Sequence, residues 1–352
     1  MQPFVYNALP ARVIFGRGTL SQVGPEIQGL GCNKALVLTT PGQTKEGEAL
    51  KTDLGVLAVG LYSNATMHTP TNVTEEALLV AQRLGADCVV ALGGGSTIGL
   101  GKAIALRTDL PQIVIPTSYA GSEATTIIGQ TENGLKTTQK TMKVLPEVII
   151  YDVDLTLTLP TQMTITSGIN AMAHAVEALY SKDSNPITDM LAEQGITRIA
   201  NALPILFKDP GNNEARSDAL FGAWVCASCL GTVSIALHHK LCHTLGGTFN
   251  LPHSETHTVL LPHTIAYNTP FATVAMTKAA HSLGAPSAAQ GVFDLAKNLG
   301  APYSLKQLGM KEEDLARAAD IAMENPYPNP APLEREKLLS LLKDAYEGKR
   351  PA

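Results

Sequence analysis

The first part of the chain alternates short apolar runs with segments of helical spacing. Lys34–Thr39 (KALVLT) reads as a strand, bounded by Gly31 and by Pro41-Gly42, and Val56–Tyr62 (VLAVGLY) as another. Thr71–Leu84 has apolar positions at helical intervals. Asn72 or Thr74 ahead of Glu75 and Glu76 supplies the chemistry of a helix start. Asp87–Leu92 (DCVVAL) is an apolar strand that ends in glycines. A helix-like segment over Thr97–Leu106 follows, and then strands at Gln112–Ile115 and Val148–Tyr151. Strands that are apolar throughout, separated by helices, predict a parallel sheet covered on both faces.

After about Asp154 the pattern changes to long helical repeats: Ile165–Tyr180, Ile187–Leu206, Ala215–Leu245, Ile265–Leu283, Gln290–Leu299 and Glu312–Met323. A last helix, Leu333–Tyr346, follows the proline-rich stretch NPYPNPAP. The reading is an α/β domain over residues 1–155 and an all-helical domain over residues 156–352, with no internal repeat and no low-complexity segment.

Composition narrows the function classes. Of the 352 residues, 45% are hydrophobic and only 16% charged, against about 25% charged in an average domain, so much surface is buried, some of it between subunits. A net charge of −5 with no basic half argues against a nucleic-acid partner. No apolar run approaches the roughly 20 residues of a membrane span. The start, MQPFVYNALP, lacks the charged and apolar regions of a secretory signal. Five cysteines, an odd and sparse set, fit a reducing cytoplasm. The single CxxC, Cys226 to Cys229, lies inside FGAWVCASCLGTVSIAL and reads as buried small side chains. The histidines are clustered: seven of nine fall between His238 and His281, five of them by His257. That clustering points to a site.

The most informative local feature is VVALGGGST, Val89 to Thr97. A buried strand runs into three glycines and opens a helix. Glycines let a ligand approach the backbone, and the helix start adds free N–H groups and partial positive charge, a combination suited to a pyrophosphate. A tight strand-to-helix turn would use the same residues. The next strand strengthens the ligand reading, because IVIPTSYAGSE (Ile113–Glu123) also ends in hydroxylated residues and glycine. Two neighbouring strands with such loops at their carboxyl ends make a doubly wound ligand crevice. Lys136, Lys140 and Lys143, in a loop over Thr131–Val144, are the nearest cations, with a solvated lysine face as the alternative.

Four motifs in order carry a family resemblance: ALGGGSTIGLGKAIAL, IPTSYAGSE, SGINAMAHAVEALY and HHKLCHTLGGTFNLPHSETH, with RVIFGRG and ALVLTTPGQ upstream. The sequence resembles the iron-containing alcohol dehydrogenase superfamily, and more closely its maleylacetate reductase branch. The resemblance implies a nucleotide-binding α/β domain of the dehydroquinate synthase-like type, an all-α C-terminal domain, a cleft between them, and hydride transfer from NADH or NADPH. Carried over by position, the dinucleotide contacts fall on Gly94, Gly95, Ser96, Thr97, Thr117, Ser118 and Ser122. Lys136 is the counterpart of the family's cofactor-contacting lysine. NADH-preferring members often have an acid on the strand that here ends Thr39-Thr40, so discrimination against NADPH is expected to be weak.

In metal-dependent members one Asp and three His hold Fe²⁺ or Zn²⁺, and the matching positions are Asn170, His174, His239 and His253. Asn170 and His174 lie four residues apart on one helix, as do His239 and His243. Asn170 replaces the aspartate, and an amide oxygen is a much poorer cation partner than a carboxylate. Gly99 stands where the metal-dependent pattern again has aspartate. Both departures fit the reductase branch, whose members generally work without a metal, so the resemblance favours a metal-free polar site over a metal site. His257 and His263 have no matched role and read as surface or capping residues. Helix spacing turns His238 and Lys240 away from His239 and His243.

The implied reaction reduces the double bond of maleylacetate, a small dicarboxylate, to 3-oxoadipate in aromatic-compound degradation. His243 is the first choice as proton donor. His174, His239 and His253 would hold the developing oxyanion and a substrate carboxylate, and Asn170 would orient them. The rival is a metal-dependent dehydrogenase of small alcohols or aldehydes. Lyases of the dehydroquinate synthase type share the frame, but the HHKLCH…PHS run argues against them. Family resemblance and low charge favour a homodimer.

Overall fold

The computed structural model describes residues 4–9, 11–132, 135–325 and 327–352, with only the backbone described for Leu135 and Lys136. The chain divides into two compact units, Leu9–Leu159 and Pro160–Ala352, the latter grouped with the N-terminal tail up to Ala8.

The first unit is a six-stranded parallel sheet with helices on both faces, an α/β architecture as the sequence predicts. In chain order its elements are β1 (Arg12–Gly16), α1 (Val23–Gly29), β2 (Ala35–Leu38), α2 (Thr44–Leu54), β3 (Ala58–Tyr62), α3 (Thr71–Leu84), β4 (Cys88–Gly93), α4 (Gly95–Thr108), β5 (Gln112–Pro116), a hairpin of β6 (Ile127–Glu132) and β7 (Leu135–Lys140), and β8 (Val148–Asp152). The spatial order is β1-β8-β5-β4-β2-β3, and every pairing within this sheet is parallel. Because side chains alternate across a strand, the same strands feed two cores. Val37, Val90, Leu92, Ile113 and Ile150 pack with α1 and α2 on one face. Leu36, Leu38, Val89, Ala91 and Val114 pack with α3 and α4 on the other. Burial on both sides is why these strands carry no alternating pattern.

Two parts of this unit depart from the sequence reading. The edge strand β1, half-buried along most of its length, escapes notice because its apolar signal is diluted. The stretch read as a loop over Thr131–Val144 is mostly the antiparallel β6–β7 hairpin, whose polar strands lack a core-facing stripe.

The second unit is all helix: α5 (Thr161–Tyr180), α6 (Pro186–Lys208), α7 (Asn213–Thr232), α8 (Leu237–Thr248), α9 (His253–Asn268), α10 (Thr273–Ser282), α11 (Ala288–Asn298), α12 (Leu315–Met323) and α13 (Arg335–Glu347). Helix α5 is buried over almost its whole circumference and packs on α6, α7 and α9, so it shows little amphipathic bias. The run expected as one helix over Ala215–Leu245 is two. It breaks after Thr232, where Val233 is extended, and α7 and α8 meet at a 101° bend. The run expected over Ile265–Leu283 likewise divides into the end of α9 and α10, around Thr269-Pro270-Phe271. Among the described residues, no single helix is long and apolar enough to cross a membrane.

Candidate active site

In the first unit, β4 delivers its chain directly into α4. Gly94 is the N-cap of α4, and no side chain caps that terminus, so its first N–H groups are left for a ligand. A Cβ on Gly93 would fall 2.4 Å from Thr97 Oγ1, and one on Gly94 would fall 3.0 Å from Ser118 Oγ. Glycine is therefore required for the turn and for the close approach of the two loops. Gly95 is exposed, Ser96 half-buried, and Thr97 buried, its hydroxyl without a hydrogen-bond partner among the described residues. That orphaned hydroxyl and the uncapped terminus suit a bound diphosphate. The β5 loop lies alongside: the Thr117 amide donates to Gly93 O (3.1 Å), and Gln43 Nε2 donates to Thr117 Oγ1 (3.0 Å). Ser118 is buried and Ser122 half-buried.

Lys102, on α4, is a residue that sequence reasoning missed. Its ammonium is fully buried and donates to Ser122 O (2.5 Å), Thr125 O (2.8 Å), Thr125 Oγ1 (3.0 Å) and Ile127 O (2.9 Å). One side chain thus ties α4 to the segment that carries Ser122. Burial pulls the Lys102 pKa down to about 7, against the opposing pull of Glu123. Glu123, itself buried, accepts from Tyr151 Oη at 2.9 Å. The expected lysines are less involved. Lys143 pairs with Asp109 (2.8 Å) and Lys140 is exposed. Lys136 lies on β7, and its side chain is outside the described residues. At Gly99 a Cβ would lie 2.3 Å from Thr69 Oγ1, so Thr69 fills the space an aspartate there would enter.

In the second unit three helices converge. Helix α5 presents His174, and Asn170 is buried one turn earlier; α8 contributes His239 and His243; α9 contributes His253. The rings of His174 and His239 stack at 5.3 Å between centroids, and His239 lies 6.1 Å from His243. His253 joins through His257: the rings of that pair lie 4.5 Å apart, and His257 is 5.1 Å from His239 and 6.3 Å from His174. His243 and His253 are half-buried, the others buried.

The readings of the flanking histidines need correction. His257 is fully buried and His263 is buried, not surface residues. His257 lies one turn beyond His253, so α9 packing encloses both. His238 is also fully buried, and its ring lies 5.3 Å from that of His239. The bend before α8 brings its first turn inward, an orientation helical spacing alone does not give.

Glu177 holds this arrangement together. Its carboxylate is fully buried on α5. Oε1 accepts from Ala236 N (2.7 Å) and lies 2.7 Å from His239 Nδ1, while Oε2 accepts from His238 N (2.9 Å) and Tyr180 Oη (3.0 Å). The carboxylate thus satisfies the opening amides of α8 and fixes the His239 ring. Burial works to raise the Glu177 pKa, but His239 and these hydrogen bonds outweigh it and hold the group below its ordinary value. Burial, reinforced by neighbouring histidines, holds His174, His238 and His257 well below theirs, so these rings are neutral. Glu177 was legible in one respect: it is the only acid in the apolar run from Ile169 to Tyr180.

At the four positions that the sequence matched to a metal site, residue 170 carries an amide and the other three are histidines. Asn170 offers an amide in place of a carboxylate. Among the described residues, the groups with three donors within 4.8 Å are His238–Cys242–His257 and Cys32–Asp87–Cys88. The Asp87 carboxylate is already committed to the amides of Asn33 and Lys34, at 2.9 and 2.8 Å.

Two family profiles match the chain. The profile described as "Iron-containing alcohol dehydrogenase" matches residues 10–153, and that described as "Fe-containing alcohol dehydrogenase family, C-terminal" matches residues 164–346. The chain is 54% identical to a maleylacetate reductase of Burkholderia cepacia, over 100% of both chains. It is 55% identical to the solved maleylacetate reductase of Agrobacterium tumefaciens, with full coverage of both chains and a TM-score of 0.95. An iron-containing alcohol dehydrogenase from Corynebacterium glutamicum ATCC 13032 is 40% identical, with a TM-score of 0.94 over 100% of this chain and 99% of that one.

Proposed function

The chain belongs to the iron-containing alcohol dehydrogenase family, and from that premise we propose that it reduces the carbon–carbon double bond of maleylacetate to give 3-oxoadipate, using NADH or NADPH. One observation carries the reading: the buried histidine cluster organised by Glu177, with an amide at position 170. It offers acid–base groups and oxyanion partners without a carboxylate for a metal.

Gly94, Gly95, Ser96 and Thr97 at the α4 terminus would hold the dinucleotide, which would supply the hydride for the alkene carbon β to the substrate ketone. Charge then develops on the ketone oxygen as an enolate, which needs partners placed where the charge appears. Glu177 anchors His239 Nδ1 at 2.7 Å, and among the described residues His239 Nε2 has no hydrogen-bond partner. His174 and His253 complete the surround of the oxyanion and a substrate carboxylate, and Asn170 orients the group. His243, half-buried one turn after His239, delivers the proton to the α carbon. Conjugation spreads the developing charge, so the reaction gains less from a Lewis acid than alcohol–ketone exchange does. The protein is proposed to work without a resident metal, as a cytoplasmic homodimer.

The test follows NADH loss with maleylacetate, and separately with small aldehydes, before and after exhaustive chelation. Turnover of maleylacetate that survives chelation is expected. Turnover only of aldehydes would sink the substrate reading, and dependence on added Fe²⁺ or Zn²⁺ would sink the metal-free part. His243→Ala is expected to lower kcat about a hundredfold with NADH affinity retained; an unchanged kcat removes His243 from the donor role.

A further inference from the structure

Behind the histidine cluster lies a chain of hydrogen bonds that the proposed chemistry does not use. The Thr264 hydroxyl donates back into its own helix, to Leu261 O at 3.0 Å and Leu260 O at 3.2 Å. With that single proton given to a backbone carbonyl, its oxygen accepts from the next group. That group is His238, whose Nδ1 lies 3.0 Å away. With Thr264 as acceptor, His238 carries its proton on Nδ1, which leaves Nε2 as an acceptor. Opposite it, at 2.9 Å, is His257 Nδ1. His257 in turn must be the donor, with its proton on Nδ1. A neutral ring has one N–H, so His257 Nε2 is left with a bare lone pair. That atom is buried and has no hydrogen-bond partner among the described residues. Around the same ring stand His253 (4.5 Å between centroids), His239 (5.1 Å) and His174 (6.3 Å).

We propose that Thr264 and His238 are positioning residues that lock His257 in the Nδ1–H tautomer, which keeps its Nε2 a bare acceptor beside the rings of His253, His239 and His174, the groups assigned to the oxyanion and the substrate carboxylate. The inference rests on the reductase reading for its kinetic consequence, whereas the tautomer itself follows from the hydrogen-bond chain alone. A competing use of the same atoms is a soft-cation site, since His238 Nε2, Cys242 Sγ and His257 Nδ1 lie within 4.8 Å of one another. A cation there would require His257 Nδ1 to lose the proton it gives to His238.

Nitrogen NMR of the full-length protein, labelled with ¹⁵N-histidine, distinguishes the two in the absence of substrate. The expected wild-type pattern has Nδ1 protonated and Nε2 bare on both His238 and His257. A bare Nδ1 on His257 overturns the proposal, whether or not any variant folds. Thr264→Val removes the acceptor for His238, so His238 is expected to move its proton to Nε2 and His257 to follow. The same variant is expected to lose kcat on maleylacetate by about tenfold or more, with KM for NADH unchanged. Thr264→Ser keeps the hydroxyl and is expected to restore both tautomer and rate. A Thr264→Val protein with switched tautomers and full kcat overturns the positioning role. Absence of wild-type turnover would instead defeat the reductase reading and leave the tautomer result standing.

Discussion

Replacing Glu177 by glutamine tests the centre of the argument with almost no change of shape. The carboxylate is fully buried and accepts four close hydrogen bonds: two from the amides of Ala236 and His238, one from Tyr180 Oη and one from His239 Nδ1. A glutamine has one carbonyl oxygen and one NH₂ group. Placed at Oε1, the NH₂ faces the Ala236 amide and His239; placed at Oε2, it faces the His238 amide and Tyr180. Either choice sets a donor against at least one N–H that cannot turn away. Each buried donor left unsatisfied costs about 1–3 kcal/mol, and loss of a buried charged partner costs about 3–5 kcal/mol in all. Urea unfolding of the full chain should show Glu177→Gln destabilised by about 3–5 kcal/mol at neutral pH. Because His239 also loses its anchor, kcat on maleylacetate should fall in whatever fraction remains folded. A variant within about 1 kcal/mol of the parent and fully active would refute the claim that this carboxylate organises α8.

Other consequences can be measured independently. The Glu177 pKa is depressed, so its stabilisation is full above the ordinary carboxylate value and is lost as pH falls through its folded-state value. The neutral histidines act earlier: with folded pKa values below about 6.5, their stabilisation is complete above that pH and is lost as pH falls below it. If all three charge on unfolding, stability in urea should drop by up to about 4 kcal/mol per pH unit just below that point; a flat profile between pH 7 and 5 would contradict it. Lys102→Met should weaken NADH binding about tenfold by fluorescence titration, because Ser122, Thr125 and Ile127 lose their common donor; unchanged affinity would make Lys102 a stability residue only. Asn170→Asp should increase Zn²⁺ retained after dialysis, measured by mass spectrometry, if the amide is what excludes the cation.

The sheet was legible in the sequence because strands covered on both faces are apolar without interruption, and Cys88–Leu92 is the plainest case. The glycine turn was legible because its backbone demand admits few residues. Polar groups buried by tertiary contact were not. Lys102 sits among apolar neighbours on α4 with nothing local to reveal four acceptors from a later segment. The α7–α8 break was hidden for a similar reason: the local sequence is helical throughout, and the acceptor for the amides of the second helix lies on α5, 59 residues before Ala236. His238 and His257 followed from that error, since only the inward bend turns the first turn of α8 towards α9.

The bend between α7 and α8 ties the assembly of the second unit to the readiness of its chemistry. The amides of Ala236 and His238 are held by the same carboxylate that anchors His239. A fluctuation that frees those amides to exchange with solvent also releases the imidazole, so the slow-exchanging fraction and the catalytically competent fraction are one population. Hydrogen exchange at two backbone positions therefore counts active molecules in a sample, without substrate and without cofactor.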